Sequence, residues 1–318
     1  MSSIKRCPIT YEIIASHENY SRRGLHSLSP QLTHLDPLPL GAEAQRTEAI
    51  QRAGKMSIQG VQPKLSAQLK VQEGRFDIVS QGGRFILKPP SAQWPELPAN
   101  EAVTLSMAAV AGIEVPDHGL LYAEDGSMTY FIRRFDRHGH GKKYPVEDFS
   151  QLLNYSRDTK YNSSMEQVIS VITAFCTFPK IEYVKLFRLT LFNFLVGNED
   201  MHLKNFSLVT RDNKITLAPA YDLLNTTIAM SGAPEELALP LNGKKRHLTT
   251  KDFLTYFATE RLALPAPIIN SVWKGIQQAL PQWYSLIQNS FLSLHMQEKY
   301  LHLLKERADR LGIKDGIP

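Results

Sequence analysis

Apolar and polar side chains alternate over Leu65, Ser66, Ala67, Gln68, Leu69 and Lys70, the period of two expected of a half-buried strand. Gly74 marks a turn after it, and Gly82-Gly83 marks another. Arg84 to Lys88 then reads as a short strand stopped by Pro89-Pro90, since proline cannot donate to a sheet. The whole stretch 56–90 is therefore expected to be β-rich. At 97–111 the pattern lengthens into a helix, with Pro98 in its first turn and Gly112 just past its end. Strands are expected at 118–123 and 128–134, parted by the Glu124-Asp125-Gly126 turn. Residues 1–53 show no sustained period beyond a short helix at 42–52, and 26–40 is a loop-like mixture of Ser, His, Pro and Leu.

After 146 the period becomes helical. Helices are predicted at 147–155, 164–176 and 181–197; in the last, Val184, Leu186, Phe187, Leu189, Leu191, Phe192 and Leu195 recur at helical spacing. A short β segment follows at 206–218, turning at Arg211-Asp212-Asn213, and several helices fill 251 to 311. No internal repeat is present. The basic run 137–143 reads as a flexible connector; His138 and His140 sit in it between glycines, a setting that favours a loop over a metal site. The pattern divides the chain into a small β-rich N-lobe, 1–135, and a larger helical C-lobe, 136–318, an α+β architecture.

Composition narrows the class. The chain has 318 residues, 43% of them hydrophobic and 21% charged, enough apolar content for a sizeable core and too much for wholesale disorder. A formal charge of +5 suits a protein that handles nucleotide phosphates. No dense Lys/Arg run with interleaved aromatics is present, so no direct, sequence-specific nucleic-acid binding is expected. Cys7 and Cys176 lie far apart with no CxxC, which excludes a readable disulfide framework or zinc site. No signal-peptide pattern is apparent, and the most apolar stretch, 184–197, is too short to span a bilayer. A soluble, cytoplasmic protein without a membrane partner is the expectation.

The candidate chemistry is phosphoryl transfer. That reaction needs a carboxylate beside the attacking hydroxyl and a metal ligand at a fixed distance from it, which protein kinases supply with an Asp-x-x-x-x-Asn loop. Asp200 and Asn205 have that spacing, directly after the apolar helix. Lys204 adds positive charge beside them. Asp222, 17 residues after Asn205 and beyond the β segment, stands where a kinase places its second magnesium ligand, although Leu223-Leu224 follow instead of Phe-Gly. Lys88 ends a strand and is the candidate for the ATP α- and β-phosphates, with Glu101 on the next helix as its partner. The loop Ser57, Ile58, Gln59, Gly60, Val61, Gln62, Pro63 and Lys64 precedes a strand, as a phosphate-covering loop must, though it is poor in glycine. Each element alone has a bland reading: a turn cap for Asp200, Asn205 or Asp222, an exposed strand-end lysine for Lys88. Their order along the chain is that of an ATP- and Mg2+-dependent kinase, and the expected fold is the two-lobed, protein-kinase-like one.

Several segments together resemble the HipA family of bacterial toxin serine/threonine kinases. They are 57–64, Phe85 to Pro89, Asn100-Glu101, Arg133 to Arg137, Asn198 to Ser207 and Ala218 to Asp222, joined by Cys7 to Thr10 and 237–244. The resemblance covers nearly the whole chain. It implies Asp200 as catalytic base, with Lys204 beside it, and Asn205 and Asp222 as magnesium ligands. It implies ATP contacts from the 57–64 loop, Lys88, Glu101 and His202, and a hinge for adenine at Arg133 to Phe135, with Phe135 packing nearby. Ser57 matches the serine that such kinases autophosphorylate, a modification that places close to two negative charges in a phosphate-binding loop. With the phosphate loop at residue 57, the chain looks like the short HipT type of three-gene systems. The implied partners are a HipB-like DNA-binding antitoxin, a HipS-like small antitoxin and a protein substrate, an aminoacyl-tRNA synthetase, with tryptophanyl-tRNA synthetase the target associated with HipT-like kinases. Gln59 stands where some of those chains carry a second serine. Two other readings remain open at this stage: a small-molecule kinase of the antibiotic-phosphotransferase type, and a catalytically idle antitoxin-binding co-repressor.

Overall fold

The computed structural model describes residues 4–52, 62–139, 141–155, 159–230 and 235–313. They fall into two compact units. One comprises Met1–Val103, Pro116–Arg134 and Gln288–Ser293; the other comprises Thr104–Val115, Phe135–Ile287 and Leu294–Pro318.

The first unit contains helices α1 (Arg22–Leu28) and α2 (Ala42–Arg52), strands β1 (Leu65–Lys70), β2 (Arg75–Ile78) and β3 (Phe85–Lys88), the start of helix α3 (Leu97–Val110), and strands β4 (His118–Tyr122) and β5 (Met128–Arg133). The strands form one antiparallel sheet in the order β2-β1-β3-β5-β4. Alternation fixes its register: Ala67 lies opposite both Ile78 and Phe85, and Leu87 opposite Phe131. Phe76, Phe85 and Phe131 cluster, the first two edge to face with centroids 5.0 Å apart. Leu25, Leu28, Leu32, Leu35 and Leu38 pack into the same core. The N-terminal stretch read as irregular therefore covers this core, and α1 lies within it. Ser21 caps α1 by accepting from Gly24 N–H, a local bond that the sequence pattern does not announce.

The second unit adds a small hairpin, β6 (Arg137–His138) with β7 (Lys142–Lys143), where a flexible connector was expected. His138 stacks on Tyr144 with centroids 4.0 Å apart, which orders this basic run. The helix expected at 147–155 is a strand, β8 (Val146–Asp148), followed by a single turn, α4 (Phe149–Leu152). Asp148 and Gln151 form a reciprocal capping box that starts the turn there. Helices α5 (Met165–Phe175) and α6 (Pro179–Val196) follow, then strands β9 (Ser207–Arg211) and β10 (Lys214–Leu217). Asp212 and Asn213 both take positive φ, 48° and 58°, as a two-residue hairpin turn requires. Helix α7 (Thr226–Ala229), a π-helical stretch Asp252–Arg261, and helices α8 (Ala266–Gln288) and α9 (Leu294–Leu311) complete the unit. Among the described residues no helix is long and apolar enough to cross a membrane.

Helix α6 positions the site. Pro179 opens it and Gly197 closes it in the left-handed conformation, φ 73°. A Cβ at Gly197 would lie 2.5 Å from Leu303 Cδ2 and 2.7 Å from Asn225 Oδ1, so only glycine fits. The Gly197 carbonyl accepts from the N–H groups of Thr226 and Thr227 at 3.0 and 3.2 Å, which stitches the helix end to α7.

Candidate active site

In the first unit, Lys88 Nζ lies 2.7 and 2.9 Å from the two carboxylate oxygens of Glu101. Lys88 is 8% exposed and Glu101 1%. Strand β3 delivers the lysine and α3 the glutamate. A buried ion pair of this kind adds little net stability, because desolvation offsets the attraction.

In the second unit, the loop after α6 is held by its own hydrogen bonds. Asn198 is fully buried; its amide donates to Asn193 Oδ1 at 3.0 Å, and its Oδ1 accepts from Asp200 N–H at 3.3 Å. Glu199 N–H donates to Thr226 Oγ1 at 2.7 Å. The Glu199 carboxylate meets Arg307 of α9 at 3.3 Å, and Arg307 also donates to the Phe194 carbonyl. Burial pushes the Glu199 pKa up, opposed by Thr227 and Arg307. Asn205 Nδ2 donates to the Asp200 carbonyl at 2.9 Å, so the two ends of the Asp-x4-Asn motif are clasped. Packing alone does not supply this order: Met201, Asn205 and Phe206 help to wall a cavity of about 200 Å³.

The Asp200 side chain is 44% exposed, suited to meeting a substrate. It accepts a short hydrogen bond from the hydroxyl of Tyr161. His202 Nε2 lies 4.0 Å from Asp200 Oδ1 and 2.6 Å from Lys160 Nζ. Burial pushes the His202 pKa down; Asp200 opposes this and Lys160 reinforces it. Asp222 has φ 58°, a left-handed conformation that aspartate tolerates better than most residues and that collects at functional sites. Its neighbour Tyr221 bonds Ser207 Oγ at 2.6 Å and donates to the Lys204 carbonyl at 3.1 Å. Phe135 stacks on Tyr221, the neighbour of Asp222, with centroids 5.6 Å apart.

Other expected residues have different circumstances. Ser57, Ile58, Gln59, Gly60 and Val61 lie outside the described residues. Lys64 is exposed just before β1. Lys204 shares a 3-10 turn with Asn205. Arg133 is committed elsewhere: its guanidinium binds Asp117 at 2.7 Å and the Leu28 carbonyl at 2.6 Å. The backbone N–H groups of Arg133 and Arg134 donate to Asp117 and Arg84 carbonyls, both at 2.8 Å. Lys160, Tyr161 and Arg307 were not anticipated; they approach the loop from 39 to 108 positions away, with no local signal. Among the described residues no cluster of three or more His, Cys, Asp or Glu stands ready to hold a metal.

A β-rich unit with a buried Lys–Glu pair and a helical unit with a clasped Asp-x4-Asn loop define a protein-kinase-like fold. The chain belongs to the family of the HipA-like C-terminal domain, whose model matches residues 56–284. A Haemophilus influenzae protein named "Putative kinase" is 33% identical over 258 residues, covering 75% of this chain and 73% of that protein. The Shewanella oneidensis serine/threonine-protein kinase toxin HipA is 24% identical over 248 residues, covering 72% of this chain and 56% of its own. Its structure, solved in a complex with HipB and operator DNA, matches 88% of this chain and 73% of its own with TM-score 0.66. The Helicobacter pylori proinflammatory kinase CtkA matches 73% of this chain and 88% of its own with TM-score 0.53 and 19% identity. At these identities the two solved structures speak for the fold.

Proposed function

We propose that this chain is a toxin serine/threonine protein kinase that uses Mg-ATP. The observation that carries the reading is the clasp from Asn205 to the Asp200 carbonyl, which holds an exposed carboxylate at a fixed offset from a hard oxygen donor. In the reaction, an acceptor hydroxyl gives its proton to the Asp200 carboxylate as its oxygen bonds the γ-phosphorus; the bond to the β–γ bridging oxygen breaks and ADP leaves. Lys88, steadied by Glu101, pairs with the α- and β-phosphates. His202 and Lys204 add donors near the transferred group, and Phe135 packs near adenine. Asn205 and Asp222 would hold Mg2+, since their side chains offer it oxygen, the donor that ion selects. When bound, Mg2+ neutralises charge on the phosphates.

The finer reading is a HipT-like toxin of the cytoplasm. Its substrate is an aminoacyl-tRNA synthetase, tryptophanyl-tRNA synthetase first among them, and phosphorylation there stops translation. Autophosphorylation at Ser57 regulates it, and HipB-like and HipS-like antitoxins neutralise it. Family membership and the toxin names of its relatives support this reading. The test is phosphoproteomics after brief expression of wild type against Asp200→Asn. A synthetase phosphosite present only with wild type is expected, with growth arrest. An Asp200→Asn chain as toxic as wild type would remove the basis of the kinase reading. Peptide mass spectrometry after incubation with Mg-ATP checks Ser57 separately; phosphate elsewhere alone removes only the autoregulatory step.

A further inference from the structure

The carboxylate assigned as general base already holds a partner that the Asp-x4-Asn motif does not contain. Tyr161 donates its hydroxyl to Asp200 Oδ1. The Tyr161 ring stands edge-on to His202, centroids 5.0 Å apart at 82°. Lys160, the preceding residue, reaches the same imidazole, with Nζ 2.6 Å from Nε2 and 4.9 Å from the Tyr161 ring centroid. The backbone joins in, since Leu203 N–H donates to the Lys160 carbonyl at 3.4 Å. Two consecutive residues thus grip the loop at Asp200, His202 and Leu203.

We propose that Lys160 and Tyr161 are positioning residues of the phosphoryl-transfer site, Tyr161 fixing the Asp200 carboxylate and Lys160 fixing the His202 imidazole. The inference rests on the kinase reading and deepens it. Tyr161 does not cap the base. With the tyrosine in place, Asp200 keeps 44% of its side-chain surface exposed, and a carboxylate with one oxygen engaged has a second for the acceptor hydroxyl. Fixing the carboxylate rotamer matters because a base must lie within hydrogen-bond reach of the proton it takes, and a misplacement of about 1 Å costs about 10²-fold. The imidazole argument runs in parallel. An ammonium only donates, so Nε2 of His202 accepts and the ring proton sits on Nδ1. That Nδ1 is buried and has no hydrogen-bond partner among the described residues. A buried donor without a partner is costly, and a phosphate oxygen is the acceptor that would relieve it. Lys204 lies one residue from Asn205, and Lys160 adds a second cation, held against the imidazole beside Asp200.

The test measures the rate at which the full chain releases ADP from Mg-ATP, alongside ATP affinity by calorimetry and the melting temperature. Tyr161→Phe keeps the ring against His202 and removes only the hydroxyl. It is expected to lower the turnover rate about tenfold or more while ATP affinity stays within about twofold. Lys160→Met is expected to lose turnover in the same way, and Lys160→Arg to retain more of it, because arginine keeps a donor and a positive charge. A Tyr161→Phe chain within about twofold of wild type overturns the inference, as does a loss matched by falling ATP affinity or melting temperature, which marks a merely structural role. A wild-type chain that releases no ADP overturns the kinase reading itself; an active wild type with indifferent variants overturns only the roles of Lys160 and Tyr161.

Discussion

The Lys88–Glu101 pair and the Asp200 loop both hold a charged side chain still, by opposite means. Lys88 and Glu101 are buried and hold one another through two short contacts. Asp200 is half-exposed, and what surrounds it is mostly neutral: the amides of Asn198 and Asn205 and the hydroxyl of Tyr161. The first arrangement makes stability depend on charge balance. The second separates the reacting group from the scaffold that carries it. A group that must change protonation in each cycle is better placed in the second, where a transient loss of its charge does not strand a buried partner.

The largest expected effect follows from the exposed member. Asp200→Asn is expected to lower phosphoryl transfer about 10²–10⁴-fold, the usual worth of a positioned base. Folding stability is expected to change by no more than about 0.5 kcal/mol, since the side chain is accessible and its supports act mainly on the backbone. Urea unfolding of the variant checks the second half; a large destabilisation would end the contrast drawn above.

The buried member is expected to behave in reverse. Glu101→Ala leaves Lys88 charged and with its main partner removed, and is expected to destabilise the chain by about 3–5 kcal/mol and to abolish activity. The double variant Lys88→Met/Glu101→Leu replaces both charges by apolar groups of similar size and is expected to recover most of that stability, because a buried pair exchanged whole is often neutral. It is expected to remain inactive. Recovered stability without recovered activity is the signature of a pair kept for function; recovered activity would remove Lys88 from the phosphate-binding role.

These contrasts also show what a sequence discloses. Local order was legible. Pro179 and Gly197 bracket α6, the Asp200–Asn205 spacing follows it, and Phe85 to Lys88 stop at a Pro-Pro. Such features depend on residues within a few positions of one another. The capping box that replaces a predicted helix with strand β8 and one turn is also local, but a three-residue strand carries too little pattern to register. Lys160, Tyr161 and Arg307 were illegible for a different reason. Their partners lie 42, 39 and 108 positions away, and Lys160 and Tyr161 sit outside any regular element. The commitment of Arg133 to Asp117 and Leu28 belongs to the same class, since it depends on how α1 packs against the sheet.

Gly197 sharpens the comparison from the scaffold side. Gly197→Ala forces a left-handed residue to carry a Cβ, which costs about 1–2 kcal/mol, and drives that atom to within 2.5 Å of Leu303 Cδ2. A loss of about 2 kcal/mol or more is expected in urea unfolding, with turnover falling more than ATP affinity, because the helix end that aims Asp200 has moved while Lys88 has not. Equal losses in both would mean that the two charged sites are not separately supported.

The smallest effect is expected from Tyr221→Phe. The Tyr221 hydroxyl bridges Ser207 Oγ and the Lys204 carbonyl, and burial pushes its pKa up, so the group is a neutral donor and acceptor at any physiological pH. Removing it deletes two neutral hydrogen bonds and keeps the ring stacked on Phe135, a cost of about 1 kcal/mol in unfolding. The bridge links Tyr221, the neighbour of Asp222, to the turn that carries Asn205; Asn205 and Asp222 are the two residues proposed to share Mg2+. Loosening it should therefore raise the Mg2+ concentration needed for half-maximal turnover by about threefold, the equivalent of well under 1 kcal/mol, with turnover at saturating Mg2+ nearly unchanged. Titration of ADP release against Mg2+ reads this directly. An unaltered Mg2+ requirement with the expected loss of stability would show that Tyr221 holds the fold without setting the spacing of Asn205 and Asp222, and a fall in saturated turnover would place Tyr221 with Tyr161 among the residues that act on Asp200.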